Sequence, residues 1–125
     1  MIRVATVDDT AQIRRVTENT GMFNAEEVQC VDEIFQEYLT LGIETSGYLF
    51  FVEQEAACVR GFVWVGPRSL TDRVYDLYWI AVDPSAQRLG VGKRLLARAE
   101  EAVREKNGRL LVIETSGTVK YAGTM

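Results

Sequence analysis

The stretch from Trp79 to Leu96, WIAVDPSAQRLGVGKRLL, decides the fold of this chain. In this stretch an apolar run is followed by Asp-Pro and a polar turn. Two glycines and two cations come next, and an apolar helix follows them. Glycine is a poor helix former, and positive charge is unfavourable at the positive end of a helix dipole. A bound anion would remove both objections, because the first amides of a helix have no intrahelical acceptors. The stretch therefore predicts an anion site at a helix start.

The segments on either side of this turn complete a strand-helix-strand unit. Val74–Val82 is a long, almost wholly apolar run, which indicates a central strand. The helix after the glycines carries one apolar face and ends at Gly108. Leu110–Glu114 is a second buried strand, so a right-handed crossover is expected between the two strands.

The upstream sequence predicts a mixed sheet with helices packed on it, an α/β fold of the α+β mixed-sheet type. Alternation of apolar and polar residues indicates strands. Apolar residues at helical spacing that follow the candidate N-caps Asp8, Asp9 and Asn24 indicate two helices. Gly42 is expected to end the second helix, and the segment after Glu114 has no settled pattern. The predicted upstream strands are Ile2–Thr6 and a hairpin of Tyr48–Glu53 with Ala57–Val65.

Composition excludes several classes of function. The chain has 125 residues, which suggests a single domain, 1–125, and its net charge of -4 argues against a nucleic-acid partner. There is no histidine, which excludes Ser-His-Asp and Cys-His catalysis within the chain, and with only two cysteines no metal site is expected. Cys30 and Cys58 lie in apolar-periodic segments and are predicted to be buried.

No signal peptide or membrane-length apolar run is visible in the sequence. A cytoplasmic location without a membrane partner is therefore expected.

The sequence QRLGVG fits the pattern Gln/Arg-x-x-Gly-x-Gly/Ala between a strand and a helix. It does not fit a P-loop, and a dinucleotide fingerprint would need a third glycine where Leu95 stands. Together with YDLYWIAVDP, KRLLARAEEAVREKNG and LLVIETS, the turn resembles the GNAT superfamily of N-acetyltransferases, which use acetyl-coenzyme A. The resemblance covers nearly the whole chain and implies a GNAT-like acyl-CoA N-acyltransferase fold.

The resemblance implies where acetyl-CoA would lie. In the family the pyrophosphate rests on the turn and helix start, largely on backbone amides, and the pantetheine arm pairs with the preceding strand as an added strand would. That strand splays from the next parallel strand, here between Val74–Val82 and Leu110–Glu114. The matching positions are Ile80, Ala81 and Val82 on the strand, and Gln87, Arg88, Leu89, Gly90, Val91, Gly92, Lys93 and Arg94 on the turn and helix.

The resemblance also implies catalytic roles. An acceptor amine with a pKa of about 10.4 is mostly protonated at neutral pH, so a base assists the reaction. Asp76 matches a carboxylate that family members often carry, and strand alternation places it on one face with Tyr78 and Ile80. The backbone amide of Ile80 would donate a hydrogen bond to the tetrahedral oxyanion. Tyr121, the late tyrosine of the chain, is the candidate acid that would protonate the leaving thiolate. The alternative to a catalytic role for Asp76 is a residue that holds a loop by a hydrogen bond. The alternative for Tyr121 is a terminal residue without a role.

The end of the chain departs from the family pattern. It stops at Met125, about where the family's usual final helix and two strands should begin, so a C-terminally short domain is expected. The outer edge of Leu110–Glu114 would then be unpaired, and a homodimer could cover it.

The predicted activity is transfer of an acetyl group from acetyl-CoA to a primary amine of a small molecule or peptide by direct attack. The alternatives are a non-catalytic acyl-CoA binding module or inactive truncated acetyltransferase, and a different nucleotide binder that uses the same glycine turn.

Overall fold

The computed structural model describes residues 1–68, 73–115 and 118–124, without the side chains of residues 43–45, 110, 113–115 and 118–124. The described helices are α1 (Thr10–Asn19), α2 (Ala25–Ser46) and α3 (Val91–Glu105), with short 3-10 turns at Val7–Asp9 and Pro84–Ala86. The described strands are β1 (Ile2–Val4), β2 (Leu49–Glu55), β3 (Cys58–Pro67), β4 (Val74–Val82), β5 (Leu110–Thr115) and β6 (Thr118–Thr124).

The strands form one mixed sheet in the order β1-β2-β3-β4-β5-β6. From β1 to β4 each strand is antiparallel to its neighbour in the sheet, whereas β4 and β5, joined through α3, are parallel. The predicted mixed sheet and the strand-helix-strand unit are therefore confirmed.

Strand β6 is the element that the sequence analysis missed. It pairs antiparallel with β5, from Leu110 opposite Thr124 to Thr115 opposite Thr118. The expectation of an unpaired outer β5 edge was therefore wrong, and with it the reason given for a homodimer.

The two faces of the sheet carry separate apolar cores. Helices α1 and α2 cover one face, where Phe35, Phe50 and Phe62 are almost completely buried. Helix α3 covers the other face and buries a stripe at helical spacing. The buried residues of that stripe are Val91, Leu95, Ala99, Ala102 and Val103. We refer below to the α1–α2 face and the α3 face.

Gly61 on β3 lets α3 approach the sheet closely. A Cβ atom at this position would lie 2.9 Å from the Ala81 carbonyl oxygen and 3.1 Å from side-chain atoms of Val91 and Leu95. Two of these atoms belong to the first turns of α3 and one to β4, so the absent side chain sets the position of the helix start against the sheet.

The ends of α2 follow local rules. The Asn24 side chain accepts a hydrogen bond from the Glu27 amide at 2.8 Å, and the Glu27 carboxylate accepts one from the Asn24 amide at 3.0 Å. These two reciprocal hydrogen bonds form a capping box at the start of α2. At Gly42 the backbone turns to φ +77°, and the helix resumes beyond this kink as far as Ser46.

Both cysteines are exposed and unpaired, so the prediction that they are buried was wrong. Cys30 lies on α2 between Val28 and Val31, which face the core, and the helical period turns it away from them. Cys58 begins β3 directly after the hairpin turn.

Candidate functional site

A bulge in β4 shapes the candidate site. Trp64 of β3 lies opposite Trp79 of β4, but the next β3 residue, Val65, lies opposite Leu77. Tyr78 is therefore an extra residue in β4, and such a bulge bends its strand.

Strand β4 parts from β5 at the bulge. The parallel register runs from Val74 opposite Leu110 to Leu77 opposite Ile113, and no described residue of β4 beyond Leu77 pairs with β5. The pairing ends where the predicted splay between these strands would begin, and a slot beside the second half of β4 stays a prediction.

The bulge also changes which β4 side chains share a face. Tyr75 and Leu77 pack on the α3 face, so Asp76 between them points to the α1–α2 face. The Tyr78 ring lies 4.9 Å from the Trp64 ring on that same face, whereas Ile80 packs on the α3 face. The prediction that Ile80 shares a face with Asp76 and Tyr78 was therefore wrong, because a bulge shifts the alternation by one residue.

Asp76 and Tyr78 are both accessible to solvent. The Asp76 side chain is 23% exposed, and its Oδ2 lies 3.9 Å from Arg68 Nε. The Tyr78 hydroxyl donates a hydrogen bond to the Pro67 carbonyl at 3.1 Å. Partial burial and the nearby Asp76 charge raise the pKa of Tyr78, so its phenol stays protonated at neutral pH. The backbone of Tyr121, in β6, lies opposite that of Val112 in β5. The Tyr121 side chain lies outside the described part of the chain.

Asp83 anchors the turn that follows β4. Its carboxylate accepts hydrogen bonds from the Ser85 hydroxyl at 2.7 Å and the Ser85 amide at 3.0 Å, and from Arg15 and Asn19 of α1 at 3.1 Å each. The hydrogen bonds from Ser85, with those from Asn19, outweigh burial and lower the pKa of Asp83. This role was not predicted from the sequence, although an Asp-Pro pair before Ser is a common start of a turn.

The start of α3 presents free backbone amides. Gly90 is the N-cap residue with φ +80° and ψ 9°, and no described side chain caps this end of the helix. The first intrahelical hydrogen bond runs from the Arg94 amide to the Gly90 carbonyl at 3.1 Å. The amides of Val91, Gly92 and Lys93 precede it and have no acceptor within the helix.

Gly90, Gly92 and Lys93 at this helix start line a groove of about 500 Å³. Its lining includes two glycines and two cations, which suits a polyanion. The lining residues are Val82, Ala86, Gln87, Arg88, Gly90, Gly92 and Lys93. Six of these were predicted as cofactor contacts. Leu89 is exposed beside the groove, whereas the side chains of Ala81 and Val91 are buried, so only the backbone of these two residues can contact a ligand.

Arg94 is not among the residues that line the groove. Its guanidinium donates from Nη2 to Glu53 Oε1 at 2.6 Å, from Nε to the same oxygen at 3.2 Å, and from Nη1 to the Leu89 carbonyl at 3.0 Å. These bonds occupy the group that was expected to contact the pyrophosphate.

Glu53 is the partner that sequence reasoning did not find. It lies on β2 with its side chain only 3% exposed, and Arg60 Nη2 also donates to its Oε1 at 3.1 Å. Burial raises the pKa of Glu53, but the hydrogen bonds from Arg94 and Arg60 outweigh burial, and the net pKa lies below its ordinary value.

The described residues contain no group of histidine, cysteine and acidic side chains that could hold a metal ion. None of the described helices is long and apolar enough to cross a membrane.

Comparisons with known proteins agree with this geometry. Residues 12–122 match the acetyltransferase (GNAT) family. No curated protein matches the sequence significantly. A GNAT-family acetyltransferase structure from Desulfovibrio desulfuricans is 39% identical, with a TM-score of 0.85 over 94% of this chain and 74% of that one.

Two further structures carry the coenzyme. A GNAT-family acetyltransferase from Brucella melitensis in complex with acetyl-CoA is 25% identical, with a TM-score of 0.76 over 93% of this chain and 75% of that one. The PaiA N-acetyltransferase of Thermoplasma acidophilum in complex with coenzyme A is 16% identical, with a TM-score of 0.75 over 92% of this chain and 78% of that one. At that identity the second likeness concerns the fold alone.

Proposed function

Because the chain belongs to the acetyltransferase (GNAT) family, we propose that it is an N-acetyltransferase. It would transfer the acetyl group of acetyl-CoA to a primary amine of a small molecule or peptide, in a ternary complex. A cytoplasmic location stays a prediction. The observation that carries the proposal is the row of free amides at the start of α3, where Gly90, Gly92 and Lys93 line a groove.

The residues present fit the phosphates of acetyl-CoA. We propose that the amides from Gly90 to Lys93 donate hydrogen bonds to the pyrophosphate, and that Arg88 and Lys93 add positive charge. Backbone amides and a helix dipole favour an anion at this place. The groove-lining Gln87 and the exposed Leu89 complete the contact surface.

The slot beside β4 suits the pantetheine arm. Ile80, Ala81 and Val82 have no β5 partner among the described residues, so their backbone groups on that side can pair with the amides of the arm. This pairing would direct the thioester toward the bulge, near Asp76 and Tyr78.

The chemistry then needs a base and an oxyanion donor. The neutral acceptor amine forms a C–N bond to the thioester carbon, and the C–S bond breaks as the tetrahedral intermediate collapses. We propose that Asp76 accepts the amine proton, directly or through water, and that the Ile80 amide donates to the oxyanion. Tyr121 is proposed as the donor of a proton to the leaving thiolate.

A thiol-release assay tests the proposal. The protein is incubated with acetyl-CoA and a panel of primary amines, and free CoA thiol is measured over time. Turnover with at least one amine, lost in Asp76→Asn while calorimetry still detects CoA binding, is the expected result. Binding of CoA without turnover for any amine would contradict the catalytic proposal and favour the non-catalytic module. Preferential thermal stabilisation by NAD or ATP would favour a different nucleotide binder.

A further inference from the structure

We propose that Glu53 and Arg94 are positioning residues that hold the amides of the α3 start in their anion-binding orientation. This inference rests on the proposed function, since it concerns how the pyrophosphate turn is built. It assigns Arg94 to the turn rather than to the phosphates, and it gives a role to a buried carboxylate of β2.

Arg94 holds two carbonyl groups of the turn. Its side chain donates to the Leu89 carbonyl at 3.0 Å, and its backbone amide donates to the Gly90 carbonyl at 3.1 Å. One residue therefore fixes two consecutive peptide planes of the turn.

Fixing a carbonyl also fixes the amide on the same peptide plane. In a planar trans peptide the C=O and N–H groups point in opposite directions. The Leu89 carbonyl points to Arg94, so the Gly90 N–H points away from it. The Gly90 carbonyl points into the helix, so the Val91 N–H points out of the helix start. Both N–H groups are thereby held outward, where an anion can accept from them.

The Gly90 position leaves room for this arrangement. A Cβ atom on Gly90 would lie 3.1 Å from Arg94 Nη1, the atom that bonds to Leu89. The guanidinium therefore passes close to the turn backbone, and glycine at this position serves both the left-handed backbone and the arginine.

Glu53 holds the guanidinium in place. Two nitrogens of Arg94 donate to its Oε1, and the carboxylate side chain is 3% exposed while that of Arg94 is 47% exposed. The other oxygen, Oε2, is buried and accepts no hydrogen bond from any described residue. A buried carboxylate with one unsatisfied oxygen is weak support for stability. Its Oε1 accepts from Arg60 as well as from Arg94, and the two hydrogen bonds from Arg94 fix the orientation of that guanidinium.

The experiment compares Glu53→Gln and Arg94→Lys with wild type. CoA binding is measured by calorimetry, and kcat/KM is measured for acetyl-CoA and for S-acetylpantetheine, which lacks the phosphates. Lysine keeps the charge at position 94 but lacks the fork that reaches Glu53 and Leu89 together. Arg104→Lys, at an exposed position on the same helix, is the matched control.

Both variants should bind CoA at least roughly tenfold more weakly, since about that factor corresponds to one charge-assisted hydrogen bond. Their kcat/KM for S-acetylpantetheine should stay within twofold of wild type, because the pantetheine slot is intact. Arg104→Lys should match wild type with both substrates. A general structural defect would lower both kcat/KM values together.

Three results would overturn the inference. CoA affinity at the wild-type level in folded Glu53→Gln would show that the carboxylate has no positioning role. Full affinity in Arg94→Lys would show that charge alone matters, as for a direct phosphate contact. Equal losses with both substrates would indicate a general defect. If Glu53→Gln does not fold, Arg94→Lys decides alone. Failure of wild type to bind CoA would instead refute the proposed function.

Discussion

The two glycines at the start of α3 should respond oppositely to the same substitution. Gly90 has φ +80°, in the left-handed region, whereas Gly92 has an ordinary helical backbone. A Cβ on Gly92 would meet its nearest atom, Val82 Cγ2, at 3.7 Å, which is ordinary contact. We therefore predict that Gly90→Ala destabilises the protein and that Gly92→Ala does not.

The expected magnitudes follow from the backbone. A left-handed residue with a Cβ costs about 1–2 kcal/mol, so the free energy of unfolding of Gly90→Ala should fall by about that amount. Alanine is favoured over glycine in a helix by up to about 1 kcal/mol, so the free energy of unfolding of Gly92→Ala should rise by about a few tenths of a kcal/mol or more. With a urea m-value of about 2 kcal/mol/M, the two midpoints should differ by about 1 M.

The functional consequence separates the turn from general stability. Gly90→Ala should bind CoA more weakly, because it displaces Arg94 Nη1 and reorients the turn amides. Gly21→Ala is the matched control, since Gly21 has φ +67°, no atom within 4 Å of the added Cβ, and no place in the groove. It should lose similar stability and keep CoA affinity.

Urea denaturation and calorimetric titration of the three variants measure both effects. Equal stability losses at Gly90 and Gly92 would refute the backbone reasoning. Weakened CoA binding in Gly21→Ala, or unchanged binding in Gly90→Ala, would refute the link between this turn and the anion.

Three further predictions concern charged groups of the site. The pKa of Asp83 is lowered in the folded protein, so the stability that its carboxylate contributes is present above the unfolded pKa of about 3.9 and is lost as the pH falls below that value. Asp83→Asn should therefore lower the free energy of unfolding by about 1 kcal/mol or more at pH 7. Urea titrations should show a smaller difference between this variant and wild type at pH 3. Asp76→Asn should lower kcat roughly a hundredfold or more with little change in CoA affinity, as steady-state kinetics and calorimetry will show; an unchanged kcat would exclude Asp76 as the base. Lys93→Ala should weaken CoA binding roughly fivefold at low salt and less at 1 M salt, as titrations at both ionic strengths will show. A loss of CoA affinity that does not depend on salt would mean that the charge of Lys93 does not contribute to binding.

The strand-turn-helix-strand unit could be predicted from the sequence because its signals are local. The Gly90 and Gly92 spacing, the apolar run of β4 and the apolar stripe of α3 are each contained within a few residues. The capping box of Asn24 and Glu27 was predictable for the same reason.

The parts that were missed depend on contacts between distant segments or on irregular backbone. Glu53 and Arg94 are 41 residues apart, and only the packing of α3 on β2 brings them together. The bulge at Tyr78 has no glycine or proline to reveal it, so simple alternation placed Ile80 on the wrong face. Strand β6 was missed because its sequence, TVKYAGT, alternates over only four residues before Ala122 and Gly123 interrupt the pattern.

The proposed function depends on binding of the coenzyme's pyrophosphate by the backbone amides from Gly90 to Lys93. Amide ¹H–¹⁵N spectra of the labelled protein, recorded during titration with CoA and in parallel with pantetheine, test it most directly. CoA should move the signals of Gly90, Val91, Gly92 and Lys93 most strongly, and pantetheine should leave them nearly in place. Strong shifts confined to other residues, or the same shifts with pantetheine, would contradict it.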